Sequence, residues 1–429
     1  MQRLKILLLG HCSYFTIANF TELIKQNIKG AEVTVADPFN PDGSKLNGRQ
    51  LEVFDKVVHI PTKKEIKISF KDRLSSALRI VKNRIGLRDF IFNIISLRIR
   101  KIKYTIDSVA ESNIHGKRLG DMFKDYDVFH FHYAAPGFLY PINYIPENKI
   151  KIISIWGSDL FQTAGVKNYS EQLSSFEIAD FIIINTIEKR EIFLSKFGRK
   201  FAGKIRMANF GIPECKFVRM ENFFNSVYSK DFKKKNRISE EKIVITVGYN
   251  ASSKQNHIEI IKTISRINQE VKEKLHLIIP LTYGFSSDRN EYIAEVIREC
   301  KEGGIDFTII DKYIPEEEYF GILYSSDIKI NLRETDSMNT AMLESIFAGN
   351  IVINGAWHPY GILRRLGIYC REVESVNELE KLIPSLIENL YMEKSKTSKN
   401  PELVRAYFSS LNTSGQWKNF FDEVRILKK

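Results

Sequence analysis

Two acidic residues, Asp336 and Glu344, stand eight positions apart in the segment IKINLRETDSMNTAMLESIFAGN. The pattern predicts a short strand, a loop that contains Asp336, and a helix that begins near Asn339 and contains Glu344. Apolar neighbours indicate that this helix is largely buried, and a buried carboxylate requires a hydrogen-bond donor. The hydroxyl groups of a ribose could provide it. A solvent-exposed Glu344 is the alternative interpretation.

The first amides of the same helix could bind an anion. Ser337 or Asn339 is a suitable N-cap. The free N–H groups at the amino end of a helix attract phosphate, and the helix dipole adds to this attraction. The candidate residues for binding a diphosphate are Ser337, Met338, Asn339 and Thr340.

A loop of small residues follows another predicted strand in IVITVGYNASSKQNH. The strand ends at Gly248, and the loop offers backbone amides, the Asn250 side chain and the Lys254 ammonium to a phosphate. The loop contains neither the Walker pattern nor GxGxxG. A solvated turn with an incidental lysine is the alternative interpretation.

The next strand, in LIIPLTYGF, ends in a turn that contains Thr282, Tyr283 and Gly284. Tyr283 could stack on a base or a sugar, and it could equally be a packed turn residue. Because the carboxyl ends of parallel strands bind ligands, we include all three residues in the candidate site.

In the first half of the chain, IISIWGSDLF predicts a buried strand, a turn at Gly157, and Asp159 just beyond the strand end. Asp159 could act as a base or hold an acceptor hydroxyl. The alternative is an N-cap role, in which Ser158 or Asp159 satisfies free amides at the start of a helix.

DVFHFHY places His130 and His132 on the same face of a predicted strand. This spacing permits shared metal ligation, but no third ligand is apparent, so contact with a ligand or simple packing is favoured. The DxD element Asp125-Tyr126-Asp127 precedes the strand and falls at its amino end, away from the expected ligand edge. The sequence therefore predicts no metal site.

Short apolar strands alternate with helical patterns over most of the 429 residues. At roughly 100–200 residues per domain, this length suggests two or three domains. The alternation predicts an α/β protein with two Rossmann-like domains, whose parallel, doubly wound sheets face an interdomain cleft. The expected boundaries are residues 1–213 for the first domain, 214–241 for a polar, basic linker, and 242–404 for the second domain.

The net charge of +12 is concentrated in one segment. Residues 61–105 contain thirteen lysines and arginines against three acidic residues. Within 70–105, apolar residues at near-helical spacing predict either an interfacial helix that contacts an anionic membrane or a helix with a solvated basic face. No RNA-binding signature or zinc finger accompanies the segment, so no nucleic-acid partner is predicted.

Four scattered cysteines and the lack of a long apolar run favour a cytoplasmic protein. A peripheral contact at the inner face of the cell membrane, through residues 70–105, is the membrane interpretation.

The order of these motifs resembles GT-B glycosyltransferases of the family 4-like group. The resemblance is carried by KILLLG with Gly10, DVFHFH, the WGSD turn, NFGIP, the loop with Lys254, and the acid pair. A looser, local resemblance to the bacterial 4-acetamido-4,6-dideoxygalactose (Fuc4NAc) transferase is carried by IWGSDLF, VGYNASSKQNH, IIPLTYG and FSSLNTSGQW.

The resemblance implies a metal-independent transferase that needs no cofactor and takes a nucleotide-diphosphate sugar as donor. Lys254 and the amides at 337–339 would hold the diphosphate, Glu344 the ribose and Asp336 the sugar, while Asp159 would act on the acceptor. The acceptor would be a saccharide or a lipid-linked saccharide of a bacterial surface polysaccharide. The residues expected on the acceptor side are Gly10, His11, His132 and Trp156. A C-terminal helix, 405–429, would pack on the first domain.

Three residues depart from the family pattern. Asp336 stands where family 4 usually has Glu, and Trp156 stands where many relatives have His. Asn250 occupies the neighbourhood in which an arginine partner for Lys254 is expected. A sugar-nucleotide epimerase of the same shape and a catalytically inactive membrane-surface binding protein are therefore retained as alternatives.

Overall fold

The computed structural model describes residues 3–10, 15–37, 52–58, 67–82, 91, 99–284 and 288–427. Two compact units are present. The first comprises Met1–Asn185, Phe193–Ala208 and Ser414–Lys429, and the second comprises Thr186–Ile192 and Asn209–Thr413. His11 and most of residues 83–98 lie outside the described residues.

The first unit contains a parallel sheet in the order β3-β2-β1-β4-β5-β6-β7. Its strands are nearly continuous apolar runs, as expected for a sheet covered on both faces. They are Leu4–Gly10 (β1), Ala31–Ala36 (β2), Lys56–Val57 (β3), Val128–His132 (β4), Ile150–Ser154 (β5), Phe181–Ile184 (β6) and Ile205–Met207 (β7). The strand order reverses between β1 and β4, so the ligand edge of this unit is at the carboxyl ends of these two strands.

Helices connect these strands. They are Phe15–Asn27 (α1), Phe70–Lys82 (α2), Ile99–Phe123 (α3), Pro136–Leu139 (α4), Ser158–Phe161 (α5), Val166–Ile178 (α6) and Ile187–Phe197 (α7). Phe129, Phe131, Ile153 and Ile182 of the sheet pack with Phe176 of α6 in one apolar core.

The second unit contains a parallel sheet in the order β10-β9-β8-β11-β12-β13. Its strands are Ile243–Val247 (β8), Leu275–Pro280 (β9), Phe307–Ile310 (β10), Ile328–Asn331 (β11), Ile351–Gly355 (β12) and Arg371–Val373 (β13). The order corresponds to the doubly wound dinucleotide-binding topology, with its reversal between β8 and β11. The carboxyl ends of β8 and β11 therefore mark the ligand edge of this unit.

The remaining helices follow in chain order. They are Glu214–Phe224 (α8), Asp231–Lys235 (α9), His257–Ser265 (α10), Gln269–Lys272 (α11), Arg289–Glu302 (α12), Glu316–Ser325 (α13), Thr340–Phe347 (α14), Gly361–Arg365 (α15), Leu379–Glu388 (α16), Leu390–Ser395 (α17), Asn400–Phe408 (α18) and Ser410–Leu427 (α19).

The segment 214–241, expected as a linker, instead forms α8 and α9 and belongs to the second unit. Its apolar residues explain the difference. Phe217 and Met220 are fully buried in a core that also contains Phe347, and Phe232 of α9 is buried in a neighbouring cluster. The basic residues around Phe232 obscure this pattern in the sequence.

The C-terminal helix α19 joins the first unit from Ser414 onward. Trp417 is fully buried there, and its ring lies 4.5 Å from that of Phe20 on α1, edge to face. Aromatic contacts of this kind contribute beyond the apolar area that they bury.

The predicted α/β architecture with two parallel, doubly wound sheets is confirmed. The strands β3 and β13 were not predicted; they contain two and three residues and extend the edges of the two sheets.

Candidate functional site

The end of β8 is a tightly constrained turn. Gly248 has a φ of +62°, and a Cβ at this position would lie 2.3 Å from Nε2 of His257. The buried Lys329 of β11 donates to the Gly248 carbonyl oxygen. Burial lowers the pKa of Lys329 to about 7. Glycine is therefore required at position 248, and the buried amine of Lys329 stabilises the turn through its hydrogen bond.

Two hydrogen bonds join the loop after β8 to the loop after β11. Nδ2 of Asn256 donates to the Leu332 carbonyl over 2.7 Å, and the Glu334 amide donates to the Lys254 carbonyl over 3.0 Å. Asn256 is a non-glycine residue with a positive φ of 59°. Such conformations are costly and concentrate at functional sites.

Asn250 supports the loop from within. Its Oδ1 accepts from the Ser252 amide over 3.0 Å and from Nε2 of Gln255 over 3.1 Å. The side chain is buried, so Asn250 shapes the backbone around Lys254.

The loop after β9 joins the same edge. The Ala251 amide donates to the Tyr283 carbonyl over 2.5 Å, and a Cβ at Gly284 would lie 3.0 Å from the Ser252 nitrogen. Thr282 is partly exposed, and the Tyr283 residue is 59% exposed. An aromatic residue is therefore exposed at this edge.

Asp336 lies in the loop after β11, and its carboxylate accepts three hydrogen bonds from described residues. Its Oδ1 accepts from the Ser337 amide over 2.8 Å, and its Oδ2 accepts from the hydroxyl of Tyr360 over 2.5 Å and from Nδ2 of Asn339. Burial and the Asp336 charge raise the pKa of Tyr360 well above its usual value.

The loop that carries Asp336 leads directly into α14. Met338 takes a positive φ of 58°. Of the two predicted N-cap candidates, Ser337 and Asn339, the structure has Asn339, whose Oδ1 accepts from the Met342 amide over 2.7 Å. Thr340 is the first residue of α14 and is exposed.

Arg333, which the sequence analysis did not identify, contributes a cation to this edge. Its Nη1 donates to the hydroxyl of Tyr249, and its guanidinium carbon lies 5.4 Å from the centre of the Tyr249 ring. Nη1 also lies 3.7 Å from Oδ1 of Asp336. Burial, and then the charge of Asp336, raises the pKa of Tyr249 above its usual value.

Glu344 is buried in α14 and has two partners that the sequence analysis missed. The ammonium of Lys216 donates to Oε1, and the hydroxyl of Tyr319 donates to Oε2 over 2.7 Å. The pKa of Tyr319 is raised by burial, then by the charge of Glu344, and to a lesser extent by Tyr283. The exposed-Glu344 alternative is therefore wrong.

The carboxyl edge of the second sheet thus carries cations, backbone loops joined by hydrogen bonds, carboxylates and an exposed aromatic residue. The residues predicted for the donor side and located in these loops or at the start of α14 are Gly248, Asn250, Lys254, Thr282, Tyr283, Gly284, Asp336, Ser337, Met338, Asn339 and Thr340. Glu344 is the fifth residue of α14. An arrangement of this kind suits a ligand with a base, a diol and phosphate groups.

In the first unit, the Asp159 carboxylate is fully buried and holds the turn together. It accepts from the Gly157 amide and the Ala134 amide, both over 2.7 Å, and from the Trp156 amide over 3.1 Å. Gly157, and neither Ser158 nor Asp159, is the N-cap of α5, so the predicted N-cap role is wrong. Because backbone amides surround both oxygens of Asp159, the geometry favours a structural role for this carboxylate over that of a base.

The two histidines of β4 are buried and packed together, with ring centres 4.0 Å apart. Burial lowers the pKa of His132 to about 3. Burial, and then the charge of His132, lowers that of His130. Nε2 of His130 lies 2.7 Å from the hydroxyl oxygen of Ser154. Both imidazoles are therefore neutral at physiological pH.

Other residues lie at the carboxyl ends of β1, β4 and β5. A Cβ at Gly10 would lie 2.4 Å from the His132 carbonyl oxygen, and the Trp156 ring lies 6.0 Å from that of His132. Tyr133 has a positive φ of 94°, and its hydroxyl lies 2.9 Å from that of Ser158.

The described parts of the basic segment are helical. On α2, Phe70, Leu74 and Leu78 share one face and are 80%, 54% and 58% exposed. Arg73 pairs with Asp107 of α3 over 2.6 Å. Across the described ranges, no helix is long and apolar enough to span a bilayer, and no group of three or more potential metal ligands occurs.

No family model matches the chain. No curated protein matches it either. Among solved structures, Anabaena HepE in complex with UDP-glucose is similar, with a TM-score of 0.67, 12% identity, and coverage of 98% of this chain and 100% of that one. The chain has the GT-B fold.

Two further glycosyltransferase structures share this fold. A glycosyltransferase from Rickettsia africae ESF-5 has a TM-score of 0.68 at 12% identity, with 99% of each chain covered. A UDP-forming α,α-trehalose-phosphate synthase from Burkholderia vietnamiensis has a TM-score of 0.66 at 10% identity, with 99% of this chain and 100% of that chain covered. At these identities the similarity establishes the fold, and the GT-B part of the sequence prediction is confirmed.

Proposed function

We propose that the protein is a glycosyltransferase that moves a sugar from a nucleotide-diphosphate donor to a saccharide or lipid-linked saccharide acceptor. The main support is the convergence of the loops after β8, β9 and β11 at the point where the second sheet reverses its strand order. The UDP-glucose bound to Anabaena HepE, a protein of similar fold, fits this proposal.

In the second unit, Glu344 would hold the ribose hydroxyls. Its oxygens each carry one donor in the structure, and a carboxylate oxygen has two lone pairs, so capacity for the diol remains. Tyr283 would stack on the base or the sugar, and Asp336 would contact the transferred sugar.

The amides at the start of α14 and the ammonium of Lys254 would stabilise the negative charge that develops on the leaving diphosphate. We propose that this stabilisation operates without a metal ion or a cofactor. Side-chain cations and the amino end of α14 lie at the edge of the sheet where the diphosphate would bind.

The acceptor would bind at the carboxyl edge of the first sheet, among Gly10, His11, His132 and Trp156. His11 lies outside the described residues. Because the Asp159 carboxylate is enclosed by amides, its proposed influence on the acceptor is to fix the backbone of the Trp156–Ser158 turn.

We further propose that α2 brings the enzyme to the inner face of a bacterial membrane during synthesis of a surface polysaccharide. Phe70, Leu74 and Leu78 form an exposed apolar face, and Lys67 and Lys71 beside it are exposed cations. Together they suit an anionic lipid surface. Kinship with the family 4-like group and with Fuc4NAc transferases remains a prediction from the motifs.

A thermal-shift panel tests the donor site. UDP, GDP, dTDP, ADP and CMP are added to the protein with and without Mg²⁺. A ligand at ~100 times its dissociation constant stabilises the fold by about 2.7 kcal/mol. We expect one diphosphate to raise the melting temperature without Mg²⁺, and Lys254→Ala to abolish the shift. Arg298→Gln, on the exposed face of α12, is the matched control.

Two outcomes would favour the alternatives. If no nucleotide shifts the melting temperature, an inactive binding protein is favoured. If incubation with the donor alone yields an isomeric sugar, an epimerase is favoured.

Vesicle sedimentation tests the membrane contact. Leu74→Glu is expected to reduce binding to vesicles that contain phosphatidylglycerol, while donor binding is retained. Equal sedimentation of the wild type and Leu74→Glu with the vesicles would contradict the proposed membrane contact.

A further inference from the structure

The loop after β8, residues 248–256, offers one cationic side chain to a diphosphate, that of Lys254. Its side chain at Asn250 is neutral and turned into the loop, where it accepts from Ser252 and Gln255. We propose that Arg333, from the loop after β11, binds the diphosphate together with Lys254. The inference rests on the proposed function and adds a specific residue to it.

The backbone places Arg333 beside Lys254. The Glu334 amide, next to Arg333 in the chain, donates to the Lys254 carbonyl over 3.0 Å. This contact joins the two loops at the strand-order reversal between β8 and β11. In open parallel sheets, ligands bind at such a reversal.

The loop after β12 also holds the Arg333 backbone. Nε1 of Trp357 and Nε2 of His358 each lie 2.8 Å from the Arg333 carbonyl oxygen. The guanidinium in turn lies over the Tyr249 ring and donates to its hydroxyl. The cation is therefore preorganised, which reduces the entropy lost on binding.

The guanidinium keeps unused donors. It has five N–H groups, of which Nη1 donates to Tyr249. Within the described part of the chain, Nε of Arg333 has no hydrogen-bond partner. Nε itself is buried, whereas the side chain as a whole is 18% exposed, so a ligand at the edge of the sheet can reach the exposed part of the side chain.

Arg333 and Asp336 form an ion pair that contains no hydrogen bond between them. The nearest nitrogen–oxygen distance between them is 3.7 Å, which is too long for a hydrogen bond. Asp336 already accepts from the Ser337 amide, Asn339 and Tyr360. A diphosphate oxygen, with its full charge and free lone pairs, is a better partner for the remaining N–H groups.

Titration calorimetry with inorganic pyrophosphate tests the proposal without depending on the identity of the base. Arg333→Gln is expected to weaken pyrophosphate binding by about tenfold or more, the effect of losing one hydrogen bond to a charged group. Arg298→Gln is expected to bind as the wild type does. Lys254→Gln should also weaken binding.

The outcomes are distinguishable. If Arg333→Gln binds pyrophosphate as tightly as the wild type while Lys254→Gln does not, this inference is overturned and the proposed function stands. If the wild type binds neither pyrophosphate nor any nucleoside diphosphate, both are overturned.

A second variant keeps the test valid if Arg333→Gln is destabilised. If Arg333→Gln melts at a lower temperature than the wild type, Arg333→Lys replaces it, because lysine keeps the charge but loses the planar fork. Intermediate affinity for pyrophosphate would support two-point binding, and unchanged affinity would contradict it.

Discussion

The ammonium of Lys216 donates to Oε1 of Glu344, and both residues belong to the second unit. The two side chains are 22% and 3% exposed. Lys216 comes from α8, in the segment whose composition suggests a linker, and it reaches a carboxylate 128 residues away. Helix α8 therefore contributes a side chain to the candidate nucleotide site.

Lys216→Met is expected to destabilise the protein. It leaves the buried carboxylate of Glu344 with one donor, the hydroxyl of Tyr319, and an under-satisfied buried polar group costs about 1–3 kcal/mol. Urea unfolding should show the loss. The exposed Lys234→Met, in α9, is the control and should remain within about 0.5 kcal/mol of the wild type.

The double variant Lys216→Met/Glu344→Gln separates the contribution of the ion pair to stability from the contribution of side-chain packing. Removing the charge on Glu344 should restore part of the lost stability, because no buried charge is then left uncompensated. Purely additive losses would show that the pair contributes no coupling energy.

Gly248→Ala is expected to lower the free energy of unfolding by more than Gly304→Ala. Both glycines have nearly the same φ, +62° and +61°. A left-handed conformation costs a non-glycine residue about 1–2 kcal/mol in each case. Only at Gly248 would the new methyl group also meet the buried His257. Gly248→Ala should additionally weaken nucleotide binding.

Urea unfolding of both glycine variants, with a titration of UDP, checks this prediction. Equal losses of stability would mean that the imidazole of His257 moves aside without cost.

The sequence predicts the sheets well because their strands are long apolar runs. The strands predicted in DVFHFHY and LIIPLTYGF are present as β4, Val128–His132, and β9, Leu275–Pro280. β3 and β13 pair at the sheet edges and are too short to produce a pattern. Their formation depends on a neighbouring strand that already exists.

The candidate site was only partly predictable for a different reason. The residues around Gly248 and Glu344 follow strands, and strand ends can be read from the sequence. Arg333 approaches Tyr249 across 84 positions, and Lys216 approaches Glu344 across 128. Such pairs follow from tertiary packing and have no local signal.

Asp159→Asn is expected to affect stability more than chemistry. The substitution replaces one acceptor oxygen with an amide group that faces backbone N–H donors, at a cost of about 1–3 kcal/mol. Because the carboxylate is fully buried, nucleotide release from the donor should persist below the melting temperature. Asn168→Ala, an exposed change on α6, is the control.

Thermal melting and nucleotide release measured on the same preparation check this prediction. A folded Asp159→Asn protein with normal melting and abolished release would restore the base assignment.

The contribution of Lys329 to the free energy of unfolding should increase with pH above about 7. Burial lowers its pKa in the folded state to about 7, whereas an unfolded lysine titrates near pH ~10.4. Between these values Lys329 binds a proton more fully in the unfolded chain than in the folded chain, so its contribution to the free energy of unfolding rises with pH. The slope from one group is at most about 1.4 kcal/mol per pH unit.

Lys329→Met should flatten this slope. His257, the neighbouring titratable group, does not interfere, because burial, and then the charge of Lys329, lowers its pKa to about 3. Urea unfolding at pH 7, 8 and 9 gives the slopes, and the exposed Lys234→Met should retain that of the wild type. Parallel curves for the wild type and Lys329→Met would show that the amine stays protonated when buried, held by the Gly248 carbonyl.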